Sequence, residues 1–230
     1  MSQRSILAGQ HPTVVIKAGA SVTVKGVESD RVTATTGDRW GLKVEKYSEA
    51  EFARARAAVG EVVLFDLRFN RPHFQAANAP EEVVAVQMGG SGEVLVPLGS
   101  NLKIYAGKDI DVQRIRGQVD AFSGLKLKLQ EVYRLGHASA GGSMSLDCQT
   151  MRGDQVEFTA GGDLRFHIRE LTGARIRVKD LAGFWEARIG DEARSISLRA
   201  GGDVTLVTAE NVEPLPPHFI LGTIETPASL

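Results

Sequence analysis

The sequence predicts an all-β protein: a β-rich N-terminal region with one helix, then a short β-solenoid of about 20-residue coils, then a proline-rich tail. Three observations carry that prediction. Apolar residues recur at period two in many short segments, helix-forming periodicity is confined to one stretch, and a Gly-Gly pair returns after twenty and again after forty residues. Composition agrees. The chain has 230 residues, 43% of them hydrophobic, so it can build a core, while one Cys, 8 Pro and 24% charged residues exclude a collagen, a disulfide scaffold and a disordered polymer.

The alternating segments are Val22 to Val24, Gly41 to Val44, Glu61 to Phe69, Glu82 to Val86 and Leu125 to Leu129, each bounded by turn formers. The helix is expected over 48–59. Ser48 and Glu51 have the spacing of a capping box, the interior is Ala-rich, Phe52 is the anchor, and Gly60 stands where a left-handed cap belongs. These elements define an N-terminal region of residues 1–100.

Residues 101–212 form the expected solenoid. Gly141 to Leu146, Gly161 to Phe166 and Gly201 to Leu206 align on their glycine pairs. The pairs Val156 and Phe158, Ile176 and Val178, and Ile196 and Leu198 share one offset. Each such coil leaves sheet edges that a neighbouring coil satisfies, so stacking is expected. Units from Ala106 to Phe122 and from Ser123 to Ala140 have the same form in fewer residues. Between Leu181 and Ala200 the alternation slips by one position, to Trp185, Ala187 and Ile189, and a bulge near Gly183 is expected to absorb the slip. Residues 213–230 are the proline-rich tail.

The run from Val94 through Pro97 and Leu102 to Ile104, then Lys108 to Val112 and the Gly-punctuated coils up to Val207, resembles the bacterial toastrack adhesin-type β-solenoid family. That likeness covers residues 94 to 208, with Gly-Gly-Asp or Gly-Gly-Ser where the family has Ser-Gly-Asp turns. It implies a repeat scaffold, often associated with the cell envelope, and no activity. Bactofilin-like solenoids are a weaker analogue, similar in their short coils.

Charge narrows the expected partners. Lys plus Arg number 27 and Asp plus Glu 28, a net charge of -1, so neither nucleic acid nor anionic lipid is expected to be drawn in. Residues 161 to 200 hold eight basic and six acidic side chains, a surplus of two, which reads as a mixed solvated surface. No stretch approaches the roughly 18 apolar residues of a membrane span, and the first residues lack the apolar core of a secretory signal. A cytoplasmic location is expected, with envelope association left open by the family likeness.

Stacking at twenty residues would set His137, Glu157, Arg177 and Ser197 in one outward file, with Asp120 contributed by a shorter unit. One reading of His137, Glu157 and Arg177 is a carbohydrate- or ligand-binding face, with Tyr133 and Trp185 as aromatics for sugar rings. The other is a charge ladder in which Glu157 pairs with Arg177. No catalytic, cofactor-binding or metal-binding residues are expected. His11, His73, His137, His167 and His218 lack ligand spacing, although His167 should stack over Asp147, and Cys148 should share an interior file with Ile168. The Gly-rich stretch Met88 to Gly92 precedes a strand, not the helix a phosphate loop needs, and Asp163 and Asp203 are too far apart for a calcium nonapeptide array. The leading functional expectation is a non-enzymatic scaffold that joins a protein partner or another copy of itself through its open coil ends.

Overall fold

The computed structural model describes residues 1–37, 41–48, 82–151, 155–171, 174–181, 183–189, 194–208 and 219–221. Its regular structure is all β, eighteen strands in one hydrogen-bonded network with no helix among the described residues. The helix expected over 48–59 lies outside them, except that Ser48 closes a strand. The strand expected over 61–69 and most of the 213–230 tail also lie outside.

The strands form two ladders. The first runs β5 (Leu42–Ser48), β6 (Glu82–Met88), β2 (Thr13–Ala18), β8 (Asn101–Ala106), the second halves of β9 (Ile110–Ser123) and β10 (Leu127–Ala140), β12 (Gln155–Ala160), β16 (Arg194–Ala200), β14 (Ala174–Asp180) and β15 (Gly183–Ile189). The second runs β1 (Ser2–Leu7), β4 (Arg31–Thr36), β7 (Gly92–Pro97), β3 (Val22–Val27), the first halves of β9 and β10, β11 (Met144–Met151), β13 (Leu164–Ile168), β17 (Val204–Thr208) and β18 (Phe219–Leu221). Pairing is parallel everywhere except at β5, β15, β4 and β1. The expected boundary near residue 100 falls between β7 and β8, and both ladders run across it, because β2 and β3 sit between the strands on either side.

Alternation makes the core. In β3, β12 and β13 every second residue is buried, and the register stacks those residues into columns. One column reads Val94, Val24, Val112, Leu129, Leu146, Phe166 and Leu206, all within 1% of full burial. Another reads Val86, Ile16, Ile104, Ala121, Ala138, Phe158 and Leu198. The columns share one apolar cluster, and Phe158 meets Phe166 across it at 5.2 Å between ring centroids. Each fully buried Val, Leu, Ile or Phe contributes roughly 1.5–3 kcal/mol, which makes these columns the main source of stability.

At one side of the molecule the chain bends from the first ladder to the second through glycine. The bends stack too. A Cβ built on Gly107 would lie 2.4 Å from the carbonyl oxygen of Gly19, one on Gly124 2.1 Å from that of Gly107, one on Gly141 2.2 Å from that of Gly124, and one on Gly161 2.1 Å from that of Gly141. No side chain fits there. The amides in this column continue the ladder, with Gly124 donating to Ala106 at 3.0 Å and Gly161 to Ala140 at 3.0 Å. The repeat is therefore a close-approach requirement of the backbone.

The register differs from a uniform twenty. Leu102 pairs with Val119 and Leu127 with Met144, seventeen apart, whereas Leu146 pairs with Phe166, twenty apart. Val156 pairs with Ile196, and Ile196 also pairs with Ile176, so β16 lies between β12 and β14 instead of following β14 outward. The slip after Leu181 has a related cause. β15 returns antiparallel to β14, setting Trp185 opposite Val178 and Phe184 opposite Lys179, and Gly183 starts the return at φ +127. In an antiparallel pair the inward positions are fixed by reflection about the turn, so the shifted alternation needs no bulge.

Gly161→Ala should lower the unfolding free energy by about 2–3 kcal/mol, since the new methyl meets backbone that must move. Gly37→Ala, with nothing within 4 Å of the added carbon, should change it little. Equal urea midpoints for the two variants would contradict the glycine column.

Candidate functional site

The outward face of the first ladder holds the expected residues. His137 lies on β10, Glu157 on β12, Ser197 on β16 and Arg177 on β14. Ser197 is the register partner of both Glu157 and Arg177, which are thereby separated by a strand. The expected Glu157 to Arg177 pair is replaced by two others: Arg199 Nε lies 3.0 Å from Glu157 Oε1, and Arg177 Nε donates to Glu186 Oε2 at 3.2 Å. Both pairs are largely exposed, and such pairs contribute about 0–1 kcal/mol.

Asp120 is the better-built part of this face. Its Oδ1 accepts the backbone N–H of His137 at 2.9 Å and the side-chain amide of Gln118 at 3.3 Å, and the His137 imidazole Nδ1 lies 3.7 Å away. Gly136 makes the space, since a Cβ there would lie 2.0 Å from that same oxygen. Burial alone would raise the carboxyl's pKa, but the hydrogen bonds from His137 and Gln118 outweigh it and hold it below the ordinary carboxylate value.

On the second ladder, His167 does stack over Asp147. The imidazole Nδ1 is 3.3 Å from Asp147 Oδ1, and Arg169 Nη2 donates to both oxygens of that carboxylate at 3.2 and 3.1 Å. Burial is the main force lowering the His167 pKa. Asp147 opposes it, and Arg169 and Arg165 add to it. The twenty-residue spacing pointed to the Asp147 and His167 pair. Arg169, beyond the end of β13, has no place in that spacing and is visible only in the fold.

The remaining candidates are structural in this geometry. Cys148 is buried opposite Ile168, and burial above all, with the Asp147 charge next, pushes its thiol far above the ordinary range. Asp163 Oδ1 accepts the backbone N–H of Asp203 at 3.1 Å, and Asp109 Oδ1 that of Lys126 at 3.2 Å, so these bend carboxylates cap the backbone of a neighbouring bend. Met88 to Gly92 joins two strands. Tyr133 is 47% exposed, but Trp185 is turned inward against the core and offers no ring to a sugar. Among the described residues no group of three His, Cys, Asp or Glu is placed to hold a metal ion, and no helix is long and apolar enough to cross a membrane.

No family model matches the chain, the toastrack likeness of its 94–208 segment included, and no curated protein matches it. Among solved structures, the crystal structure of a "putative cell adhesion protein" from Clostridium sporogenes aligns with a TM-score of 0.44 at 6% identity, over 90% of this chain and 98% of that one.

Because the Asp120 pKa is lower folded than unfolded, near 3.9, its stabilisation is present above about pH 5 and is lost as pH falls through the folded value. Asp120→Asn should therefore lower the unfolding free energy by about 1.5–3 kcal/mol at neutral pH, with the difference shrinking below about pH 4. Urea melts at the two pH values check this, and an equal difference at both would contradict it.

Proposed function

We propose that the chain is a cytoplasmic, non-enzymatic structural or assembly scaffold: a β-solenoid whose ends join a protein partner or a second copy. The observation that carries this reading is the state of the ladder ends. Among the described strands, β1, β5, β15 and β18 each pair along one edge alone, while every strand between them is paired along both. An unpaired edge is a template for another strand. At one end the β14–β15 turn adds apolar surface, with Leu181 74% and Phe184 68% exposed.

The solenoid reading is supported by the parallel register across successive bent strand pairs and by the glycine bends that stack with them. A single buried thiol suits a reducing compartment. The scaffold reading is favoured over a carbohydrate site at His137, Glu157 and Arg177 because Glu157 and Arg177 are divided between separate ion pairs and Trp185 faces inward.

Size-exclusion chromatography with light scattering tests it. The mass of the full chain should rise above 24.7 kDa with concentration, and Leu181→Lys should reduce that rise. A strict monomer at every concentration, with no partner recovered on the immobilised chain, would contradict the proposal.

A further inference from the structure

On the side opposite the stacked glycines, β9 and β10 carry the chain from the second ladder back to the first. The left-handed residue of each of these bends is not glycine. Arg114 in β9 has φ 60 and Glu131 in β10 has φ 53, and among the described residues no other non-glycine residue has a positive φ. They are neighbours in the stack, set between the register pairs Gln113 with Gln130 and Ile115 with Val132. Glycine takes such backbone without steric cost, so the side chains at 114 and 131 are kept against a local preference.

The surface around them is cationic. Arg114, Arg116 and Arg134 are all exposed, with the exposed Glu131 among them, three cations to one carboxylate and so a surplus of two. None of the three guanidinium groups has an ion-pair or hydrogen-bond partner among the described residues, whereas Arg175, Arg177 and Arg199 each have one. Tyr133, 47% exposed, stands in β10 beside Arg116 and Gly117 of β9, and Arg134 follows it opposite Gln118 and Thr150. The backbone beneath is braced. The Arg116 N–H donates to the Leu98 carbonyl at 2.8 Å, and Gly26 lies so close to the Arg114 carbonyl that a Cβ there would collide with it.

We infer that this bend surface binds an acidic segment of a partner protein. Arginine forks match carboxylates in two-point hydrogen bonds, and arginine and tyrosine are the side chains that most often carry the energy of a protein interface. The bracing of Arg114 and Arg116 reduces the backbone ordering that binding would require. A nucleic acid or an anionic bilayer is less well served. Those partners answer to an extended positive field, and here three arginines surround a glutamate in a chain of net charge -1. The surface lies on the side of the molecule and not at the ladder ends, so the inference stands or falls apart from end-to-end assembly.

The test is fluorescence anisotropy of a labelled octapeptide of alternating aspartate and glutamate, titrated with the full chain. An octapeptide of alternating lysine and serine, a single-stranded oligonucleotide and phosphatidylserine vesicles serve as comparisons. The acidic peptide should bind, weaken with added salt, and resist competition by the other three. Arg116→Glu should weaken binding at least tenfold and Tyr133→Ala several-fold, while Lys126→Glu, on the glycine side, should leave it unchanged. Arg114→Gly should weaken binding several-fold with an equal or higher melting temperature, since glycine suits the left-handed backbone. No binding by the unmodified chain, equal or tighter binding to the oligonucleotide or vesicles, or unchanged affinity in Arg116→Glu would overturn the inference. So would a lower melting temperature in Arg114→Gly, because it would mean that the Arg114 side chain is kept for the fold.

Discussion

Everything in this molecule depends on how closely the backbone passes itself at the glycine bends. A bend that carries the chain from one ladder to the other must lie on the bend below it, at a separation where even a methyl group would collide with a carbonyl oxygen. Glycine there fixes the spacing of the ladders at their shared side. With that spacing fixed, the alternating residues fall into register, and the interior columns from Val94 to Leu206 and from Val86 to Leu198 follow. The bend carboxylates of Asp109 and Asp163 serve the same stack by accepting backbone amides that the turn leaves over.

The interior and exterior of the ladders do different work. Inside, the columns are apolar and nearly sealed, and even Cys148 is a filler with its thiol held protonated by burial. Outside, charge is arranged strand by strand. Near the middle it is compensated in small sets, Asp120 with the exposed His137 and the partly buried Asp147 with Arg169 and His167. Toward the β15 end it is compensated in more exposed pairs, Arg199 with Glu157 and both Arg175 and Arg177 with Glu186.

Much of the fold was legible because glycine and alternation leave a direct mark on sequence. Gly141, Gly161 and Gly201 announced their column, and the twenty-residue offset brought Asp147 under His167. Gly19 and Gly107 belong to the same column yet stand 88 residues apart, a spacing that no periodic search joins. The order of strands was hidden for another reason. Ile176 and Ile196 occupy the same offset and bury equally, so sequence cannot say which of them lies beside Val156. Trp185 misled because a period-two pattern gives two faces without naming the inner one, and only the antiparallel return of β15 decides it. Of the outward file, the residues were legible and their partners were not, since partners depend on which strand lies between.

The arrangement of β12, β16 and β14 is where stacked register can be read most directly. Neighbouring strands place register partners about 5 Å apart, within the span of a disulfide, while strands one further apart lie beyond it. In a Cys148→Ala background, paired cysteines at Glu157 and Ser197 should cross-link rapidly under mild oxidation, and paired cysteines at Glu157 and Arg177 should not. Cross-linking of the second pair and not the first would contradict the register on which the whole account rests.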